Sequence, residues 1–172
     1  MPILSNADKV EALKLIIERY DHYYDSINNK GNLYLTINTF ILGGCIAGYY
    51  TLNQSCHFSK SILLFYFIPG IIFNLISFTH TLWAVRPFAK KINRGNSLIF
   101  FADVQRNSLP EWKNRWSKLT EDDWEEELQC QSHELATGLC KKFTRLSRAT
   151  LFIWLQVVFI FLFAIYLLFK FQ

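Results

Sequence analysis

Charged residues are missing from three long stretches of this 172-residue sequence. No Asp, Glu, Lys or Arg occurs between Gly31 and Ser59, between Ser61 and Val85, or between Ala149 and Phe169. A bilayer core about 30 Å thick is crossed by roughly 20 apolar residues of helix, so each stretch can span it. A soluble helix that is apolar on all sides needs a large core, which a chain this short cannot build three times. The missing charge argues against a soluble protein and predicts transmembrane helices at 33–52, 61–85 and 149–169.

Signatures of common enzymes and of metal sites are missing too. The sequence has no Gly-rich phosphate loop, HExxH, GxSxG or Rossmann fingerprint. Its four cysteines form no CxxC pair and no zinc-type spacing with histidine. Its four histidines lack a Ser or Cys partner at a recognisable spacing. We therefore expect no catalytic residue, no metal site, no resident cofactor and a protein that is not an enzyme.

The first 32 residues predict an amphipathic helix. They carry both signs of charge and no early apolar run, which argues against a cleaved signal peptide. Ser5-Asn6-Ala7-Asp8 predicts a capping box. An apolar stripe at spacings of three and four follows, formed by Val10, Leu13, Ile17, Tyr20, Tyr24 and Ile27. Such a stripe needs a partner, which could be a neighbouring subunit, the helix that returns later in the chain, or the bilayer surface.

Residues 86–148 form the only substantial polar segment between apolar stretches, and they predict cytoplasmic helices. Helix starts are expected at Ser108-Leu109-Pro110-Glu111 and at Thr120. The helix from Glu121 has no breaker before the third span, so the two should be continuous. Acidic residues in its first turns and basic residues at 141–148 suit a helix dipole. The predicted fold class is therefore an all-α membrane protein of one domain, with three transmembrane helices, an N-terminal amphipathic helix and a helical segment continuous with the last span.

Details within the spans add three expectations. Small residues in the first span should allow close helix packing: Gly43, Gly44, Ala47 and Gly48. Pro69 should kink the second span. The polar side chains in the spans are uncharged, which argues against a proton-coupled carrier. They could join helices to one another, or line a pore formed by several copies.

Basic residues predict the orientation. Arg86, Lys90, Lys91 and Arg94 follow the second span, and four more Lys or Arg residues precede the third. By the positive-inside rule the N-terminus and segment 86–148 are cytoplasmic. The cations after the second span could bind lipid phosphates, or equally a small anionic ligand.

Several short elements, in order, resemble the transmembrane effector family of Pycsar, an antiphage system built on cyclic pyrimidine nucleotides. Asn28-Asn29-Lys30-Gly31 keeps the lysine of an aspartate-x-lysine-alanine element and replaces the aspartate and alanine. Arg86-Pro87 matches the end of the family's second span. Ser97 to Val104 matches a serine-leucine-phenylalanine-phenylalanine, small, aspartate element. The long helix contributes Gln131, Leu135-Ala136 and Lys141-Lys142-Phe143.

The resemblance implies an effector of the cell inner membrane that responds to a cyclic nucleotide made by a companion cyclase. It implies that the protein disrupts the membrane, works as a homo-oligomer and causes abortive infection. We expect Lys30, Arg86 and Arg94 to neutralise the cyclic phosphate, and Phe100 and Phe101 to be core residues. Contact with lipid phosphates is the alternative for the three cations. No nucleic-acid partner is expected. The alternative function is a membrane-anchoring or accessory subunit for a cytoplasmic partner, held through the stripe of the first helix.

Overall fold

The computed structural model describes residues 5–54, 59–87 and 97–170, and these residues form helices without any β-strand. The helices are α1 (Asn6–Gln54), α2 (Lys60–Val85), α3 (Phe101–Val104), α4 (Leu109–Ser117) and α5 (Glu121–Lys170). Three of them, α1, α2 and α5, are long and apolar enough to cross a membrane. The prediction of an all-helical chain with three such helices is confirmed.

Two compact units divide the chain, where one domain was expected. Unit 1 comprises residues 1–25 and 87–140, and unit 2 comprises residues 26–86 and 141–172. The two longest helices contribute to both units, because α1 and α5 run without a break across the unit boundaries. Helix α1 includes both the predicted amphipathic helix and the predicted first span, and α5 runs from Glu121 through the predicted third span.

Within unit 1 the apolar stripe of α1 faces α5. Its side chains from Val10 to Tyr24 are half-buried, whereas Leu15 and Ile16, on other faces, are exposed. The last residue of the stripe, Ile27, belongs to unit 2 and is fully buried. The Tyr24 hydroxyl donates a 3.0 Å hydrogen bond to the carbonyl oxygen of Leu135. Lys9 forms an ion pair with Glu125, with 3.7 Å between the nitrogen and the oxygen. Of the partners expected for the stripe, the structure shows the helix that returns later in the chain.

Tyr24 gives this packing a dependence on pH. Burial, and next the charge of Asp21, raise the pKa of the Tyr24 phenol above its ordinary value of 10.0. A raised pKa means that the folded state favours the neutral phenol, so its stabilising contribution is complete below pH 10 and is lost as pH rises through the folded-state pKa. We expect the free energy of unfolding to fall more steeply above pH 10 in the wild type than in Tyr24→Phe. Denaturant unfolding in detergent, followed by circular dichroism at pH 9, 10 and 11, measures both slopes. Equal slopes would contradict this role of Tyr24.

Side-chain caps start three helices where the sequence predicted them. The Ser5 hydroxyl oxygen accepts from the Asp8 amide at 3.2 Å. At the start of α5 the Asp123 carboxylate accepts from the Thr120 amide, and the Thr120 hydroxyl oxygen accepts from the Asp123 amide. At α4 the Ser108 side chain accepts from the Glu111 amide, while the Glu111 carboxylate accepts from the Ser108 amide at 2.9 Å. Each cap satisfies amides that the first helical turn leaves unpaired.

Removing the cap of α4 should loosen that helix locally. We expect Ser108→Ala to destabilise α4 by about 1 kcal/mol, the usual cost of losing an N-cap. Hydrogen exchange of the α4 amides, read by mass spectrometry, measures the change. Ser117→Ala is the matched control, since Ser117 lies at the other end of α4 and its hydroxyl donates to the Asn114 carbonyl of the same helix. Similar exchange rates in both variants would show that the cap contributes nothing.

Unit 2 turns large apolar side chains outward. Phe40, Phe65 and Phe161 are each about two-thirds exposed or more. Large apolar side chains exposed on helices of this hydropathy are unfavourable in water and suit contact with lipid chains. Its buried apolar side chains include Ile27, Leu63 and Ala149, one from each long helix. Helix α2 continues through Pro69 without interruption.

Of the glycines expected to allow close packing of the first span, one does so. Among the described residues, Gly43 and Gly44 have no heavy atom of a neighbouring element within 4 Å of the position that a Cβ would take. Gly48 does face the ring of Phe67. The closest approach is at Gly31, where a Cβ would lie inside the contact radius of the Val85 side chain. The sequence pattern of small residues could not show this, because it does not specify which face of α1 meets α2.

Candidate functional site

The family-like element from Ser97 to Asp103 is a short loop that leads into α3 in unit 1. Asp103 is buried, with 1% exposed, and its carboxylate accepts a 3.2 Å hydrogen bond from the Ser97 amide. Arg106 Nη1 lies 3.5 Å from the other carboxylate oxygen. The carbonyl of Leu98 accepts a 3.2 Å bond from the Trp112 indole. The serine and aspartate of the element thus fix the shape of the loop, which explains why the two residue types occur at this spacing.

Glu127 of α5 holds the same loop from the other side. Its Oε1 atom accepts from the Ser97 hydroxyl and from the Leu98 amide, the latter at 3.0 Å. A carboxylate bonded to a backbone amide is a charge-assisted interaction, stronger than a neutral hydrogen bond. The loop is therefore bound directly to the helix that contains the third apolar segment.

Beside this contact lies a cleft of about 340 Å³ in unit 1. It is formed by the loop, the C-terminal end of α4 and the first turns of α5. Its lining includes two cations and three carboxylates: Arg115, Lys118, Asp123, Glu126 and Glu127. Hydrogen bonds from the side chain and the amide of Thr120 lower the pKa of Asp123, so this carboxylate is ionised near neutral pH. The cleft can thus offer cations to an anion and oxygen acceptors to hydroxyl or amino groups.

The two phenylalanines of the element differ in environment. Phe100 is half-buried, whereas Phe101 is 66% exposed. The expectation that both are core residues is wrong for Phe101, whose side chain at the first position of α3 is exposed although its ring lies 5.0 Å from that of Phe100. Sequence alone could not separate the two, since both are aromatic and adjacent.

In unit 2 a cluster of three buried side-chain amides and one serine hydroxyl joins all three long helices. Its members are Asn38 of α1, Asn74 and Ser77 of α2, and Gln156 of α5, none more than 1% exposed. Asn38 Nδ2 donates to Ser77 Oγ at 3.1 Å, and Asn74 Nδ2 donates to the Asn38 backbone carbonyl at 2.9 Å. Asn74 Nδ2 also lies 3.3 Å from Gln156 Oε1. Ser77 in turn donates to the Ala149 carbonyl at 3.1 Å. We call these four side chains the amide cluster.

The amide cluster realises one of the two roles expected for polar side chains in the spans. Hydrogen bonds between membrane helices hold them together where burial of apolar surface gives no advantage over lipid. Thr36, Thr39 and Thr79 behave differently, since each is exposed and donates to the carbonyl four residues earlier in its own helix. Only part of the polar content of the spans therefore joins helices.

Two cations of α5 complete the C-terminal end of α2. Lys142 Nζ donates a 2.7 Å bond to the Ala84 carbonyl, and Arg145 Nη1 donates a 3.0 Å bond to the Trp83 carbonyl. The Arg145 guanidinium also lies 5.6 Å from the centre of the Trp83 ring. The last carbonyls of a helix have no partner inside the helix, and α2 has no basic residue in its own last turn. We call this arrangement the cationic clamp.

The clamp corrects the interpretation of residues 141–148 as the basic end of their own helix. Helix α5 continues to Lys170, so these residues lie near its middle and far from its C-terminal carbonyls. The dipole that Lys142 and Arg145 complement is that of α2. No signal in the sequence pairs them with Trp83 and Ala84, which lie about sixty residues earlier.

The predicted phosphate-binding residues are only partly described. Lys30 and Arg86 are both exposed in unit 2. They flank the contact between Gly31 and Val85, which places them at the same end of unit 2. Arg94 lies outside the described residues, as do Lys90 and Lys91. The cleft residues Arg115 and Lys118 were not singled out by sequence reasoning, and no motif marks them. Glu127 was noted only as one of the acidic residues in the first turns of the helix from Glu121.

Among residues 5–54, 59–87 and 97–170, no group of three His, Cys, Asp or Glu side chains is arranged to hold a metal ion. Three acidic residues at the start of α5 have other partners: Asp123 pairs with Thr120, Glu127 accepts from the Leu98 amide, and Glu125 forms the ion pair with Lys9.

The fold and these sites define a class of protein: an all-helical membrane protein in which two long helices belong both to a polar unit with a cleft and to a bundle of apolar helices. A family model described as the Pycsar effector protein domain matches residues 12–169. The chain therefore belongs to the Pycsar effector family, as the resemblance indicated. Membership connects it with cyclic-nucleotide-linked antiphage defence, and the family is not a known enzyme family. Neither a curated protein nor a solved structure matches the chain.

Proposed function

We propose that this protein is an antiphage effector that responds to a cyclic nucleotide from a companion cyclase by disrupting the integrity of the inner membrane. The infected cell then dies before phage mature. The observation that supports this best is the family match over 158 residues, from 12 to 169, which includes parts of both units and all three apolar segments. The proposal takes the N-terminus and unit 1 to be cytoplasmic, as the basic residues beside the spans predict.

The continuous helices offer a route from signal to membrane. Helix α5 begins beside the cleft of unit 1 and contains the third apolar segment. Its 50 residues make a helix about 75 Å long at 1.5 Å per residue. A ligand shifts a protein only between states for which its affinity differs. A second state would have to break hydrogen bonds of the amide cluster and the cationic clamp and form others in their place. Under this proposal, subunits of a homo-oligomer repack their spans when the nucleotide binds.

The three predicted cations remain a separate prediction within the proposal. Lys30 and Arg86 have exposed side chains at one end of unit 2, which suits contact with a phosphate of either a nucleotide or a lipid. Charge reversal of Lys30, Arg86 and Arg94 together should abolish the response to nucleotide if they bind the cyclic phosphate. A retained response would assign them to lipid phosphates.

One observation counts against the alternative function of an anchoring subunit. That alternative needs the stripe of α1 to dock a cytoplasmic partner, whereas in unit 1 the half-buried stripe faces α5. A partner would have to displace this contact or bind another surface.

Membrane potential in living cells tests the proposal. Cells that produce the protein are loaded with a voltage-sensitive dye, and cyclic CMP, UMP, AMP or GMP is then supplied by an inducible cyclase. We expect depolarisation with at least one nucleotide, and none in cells that carry the cyclase without this protein. An unchanged potential with all four, in cells whose membranes contain the protein by immunoblot, would contradict the proposal and favour the anchoring role.

A further inference from the structure

The cleft of unit 1 has a charge balance that selects among anions. Its two cations, Arg115 and Lys118, stand against three carboxylates, Asp123, Glu126 and Glu127, so its formal charge is one negative. A ligand with several negative charges would gain from two residues and be repelled by three. A ligand with a single negative charge can lie beside the cations and present neutral donors to the carboxylates. The cleft therefore suits a singly charged phosphate diester better than a nucleoside triphosphate.

The Glu127 carboxylate can accept a hydrogen bond from a hydroxyl group of a ligand in the cleft. In the part of the chain that the structure describes, both hydrogen bonds to Glu127 end on its Oε1 atom. Its second oxygen can accept from a ligand hydroxyl without loss of those contacts. An acidic side chain is a common acceptor for the 2′-hydroxyl of a ribose. The apolar wall of the cleft includes Leu98 and Leu119, which can contact a flat base.

Size is consistent with the same ligand. A cavity of about 340 Å³ is at the small end of the range of roughly 300 to 1,000 Å³ that small-molecule sites occupy. A mononucleotide fits such a volume.

We propose that this cleft binds a cyclic mononucleotide, with Arg115 and Lys118 contacting the cyclic phosphate and Glu127 accepting from the ribose 2′-hydroxyl. The assignment rests on the proposed function and specifies the site at which the signal acts. It places phosphate recognition on α4 and the residue that follows it, and ribose recognition on α5. Because Glu127 also holds the loop at Ser97 and Leu98, ligand contact and loop position meet at one side chain of α5.

Calorimetric titration of the full-length protein in lipid nanodiscs tests the assignment, with cyclic CMP and cyclic UMP as probes. We expect Lys118→Glu to weaken binding by about tenfold or more, since a lost charged hydrogen bond is replaced by repulsion. Arg115→Gln should act in the same direction. Lys113→Glu is the matched control, because the substitution changes the charge by the same amount. Lys113 lies on α4 and is not among the residues that line the cleft. Cytidine triphosphate should bind at least tenfold more weakly than the cyclic monophosphate.

The outcomes separate this inference from the proposed function. If the wild type binds a probe and Lys118→Glu and Arg115→Gln bind it equally well, the cleft assignment is wrong and the proposed function stands. A loss confined to a Lys30→Glu, Arg86→Glu variant would move the site to those residues. If the wild type binds neither probe and cells keep their potential with every nucleotide, both proposals fail. Binding without a 2′-hydroxyl requirement, tested with 2′-deoxy cyclic CMP, would overturn the role of Glu127. Circular dichroism of each variant verifies that its helix content is unchanged.

Discussion

Asn38→Ala is expected to destabilise the helical bundle of unit 2 by roughly 2 kcal/mol. Asn38 contacts every other member of the amide cluster, since its side chain donates to Ser77 and lies 3.5 Å from the amide nitrogens of Asn74 and Gln156. Removing it leaves buried polar groups with fewer partners, and each unsatisfied group costs about 1 to 3 kcal/mol. Individual hydrogen bonds between membrane helices average only about 0.6 kcal/mol, so the effect comes from losing several together.

Unfolding in mixed micelles of increasing sodium dodecyl sulfate content, followed by circular dichroism, measures this cost. Thr39→Ala is the control, because Thr39 is the adjacent residue, is exposed and donates its hydroxyl hydrogen bond to the Leu35 carbonyl of its own helix. We expect it to change the free energy of unfolding by less than about 0.5 kcal/mol. If the two variants unfold together, the amide cluster does not hold the helices. Under the proposed function, Asn38→Ala should also lower the amount of nucleotide that depolarises cells.

Gly31→Ala and Gly43→Ala should change stability in opposite directions. A methyl group at Gly31 would collide with the branched side chain of Val85, and Val85 Cβ and Thr81 Cγ2 lie 3.7 and 3.9 Å from the same position. Overpacking of this kind costs about 1 to 3 kcal/mol. Gly43 has open space where its Cβ would be, so alanine there should stabilise the helix by about 0.5 to 1 kcal/mol.

The pair is a controlled comparison, since both substitutions add one methyl group to the same helix. The same detergent unfolding experiment measures the two free energies. A similar shift for both would mean that helix propensity alone decides, and that α1 and α2 do not approach closely at Gly31. A larger loss at Gly43 would instead indicate that a partner outside this chain covers that face.

The three long helices were predictable because each contains a continuous stretch of apolar residues without charge, which the sequence shows directly. Some twenty residues without charge, such as Ala149 to Phe169, have no other stable environment than a membrane or a very large core. Helix starts at Ser5, Ser108 and Thr120 were predictable for the same reason, because a capping box joins residues only three positions apart.

Contacts between distant residues could not be predicted in this way. The periodicity of α1 predicted its apolar stripe, but it left three possible partners for that stripe. The structure shows that α5 is the partner. Which polar residues of the spans meet depends on the rotation of each helix, so Asn38 and Thr39 looked equivalent in sequence. The cleft depends on α4, α5 and the Ser97 loop coming together. Leu98 and Asp123 belong to short sequence patterns, but nothing in those patterns brings them beside Arg115 and Lys118.

The cationic clamp makes the end of α2 dependent on its neighbour. Helix α2 supplies no cation for its own final carbonyls, and Lys142 and Arg145 of α5 bind two of them. The carbonyls are fixed in α2, so a shift of α5 by one full turn, about 5.4 Å, would carry both cations out of hydrogen-bond range. Two arrangements of α2 and α5 that each pair these carbonyls would then be separated by positions in which the carbonyls are unpaired. Under the proposed function, each molecule would therefore switch between discrete arrangements of the two helices instead of moving gradually.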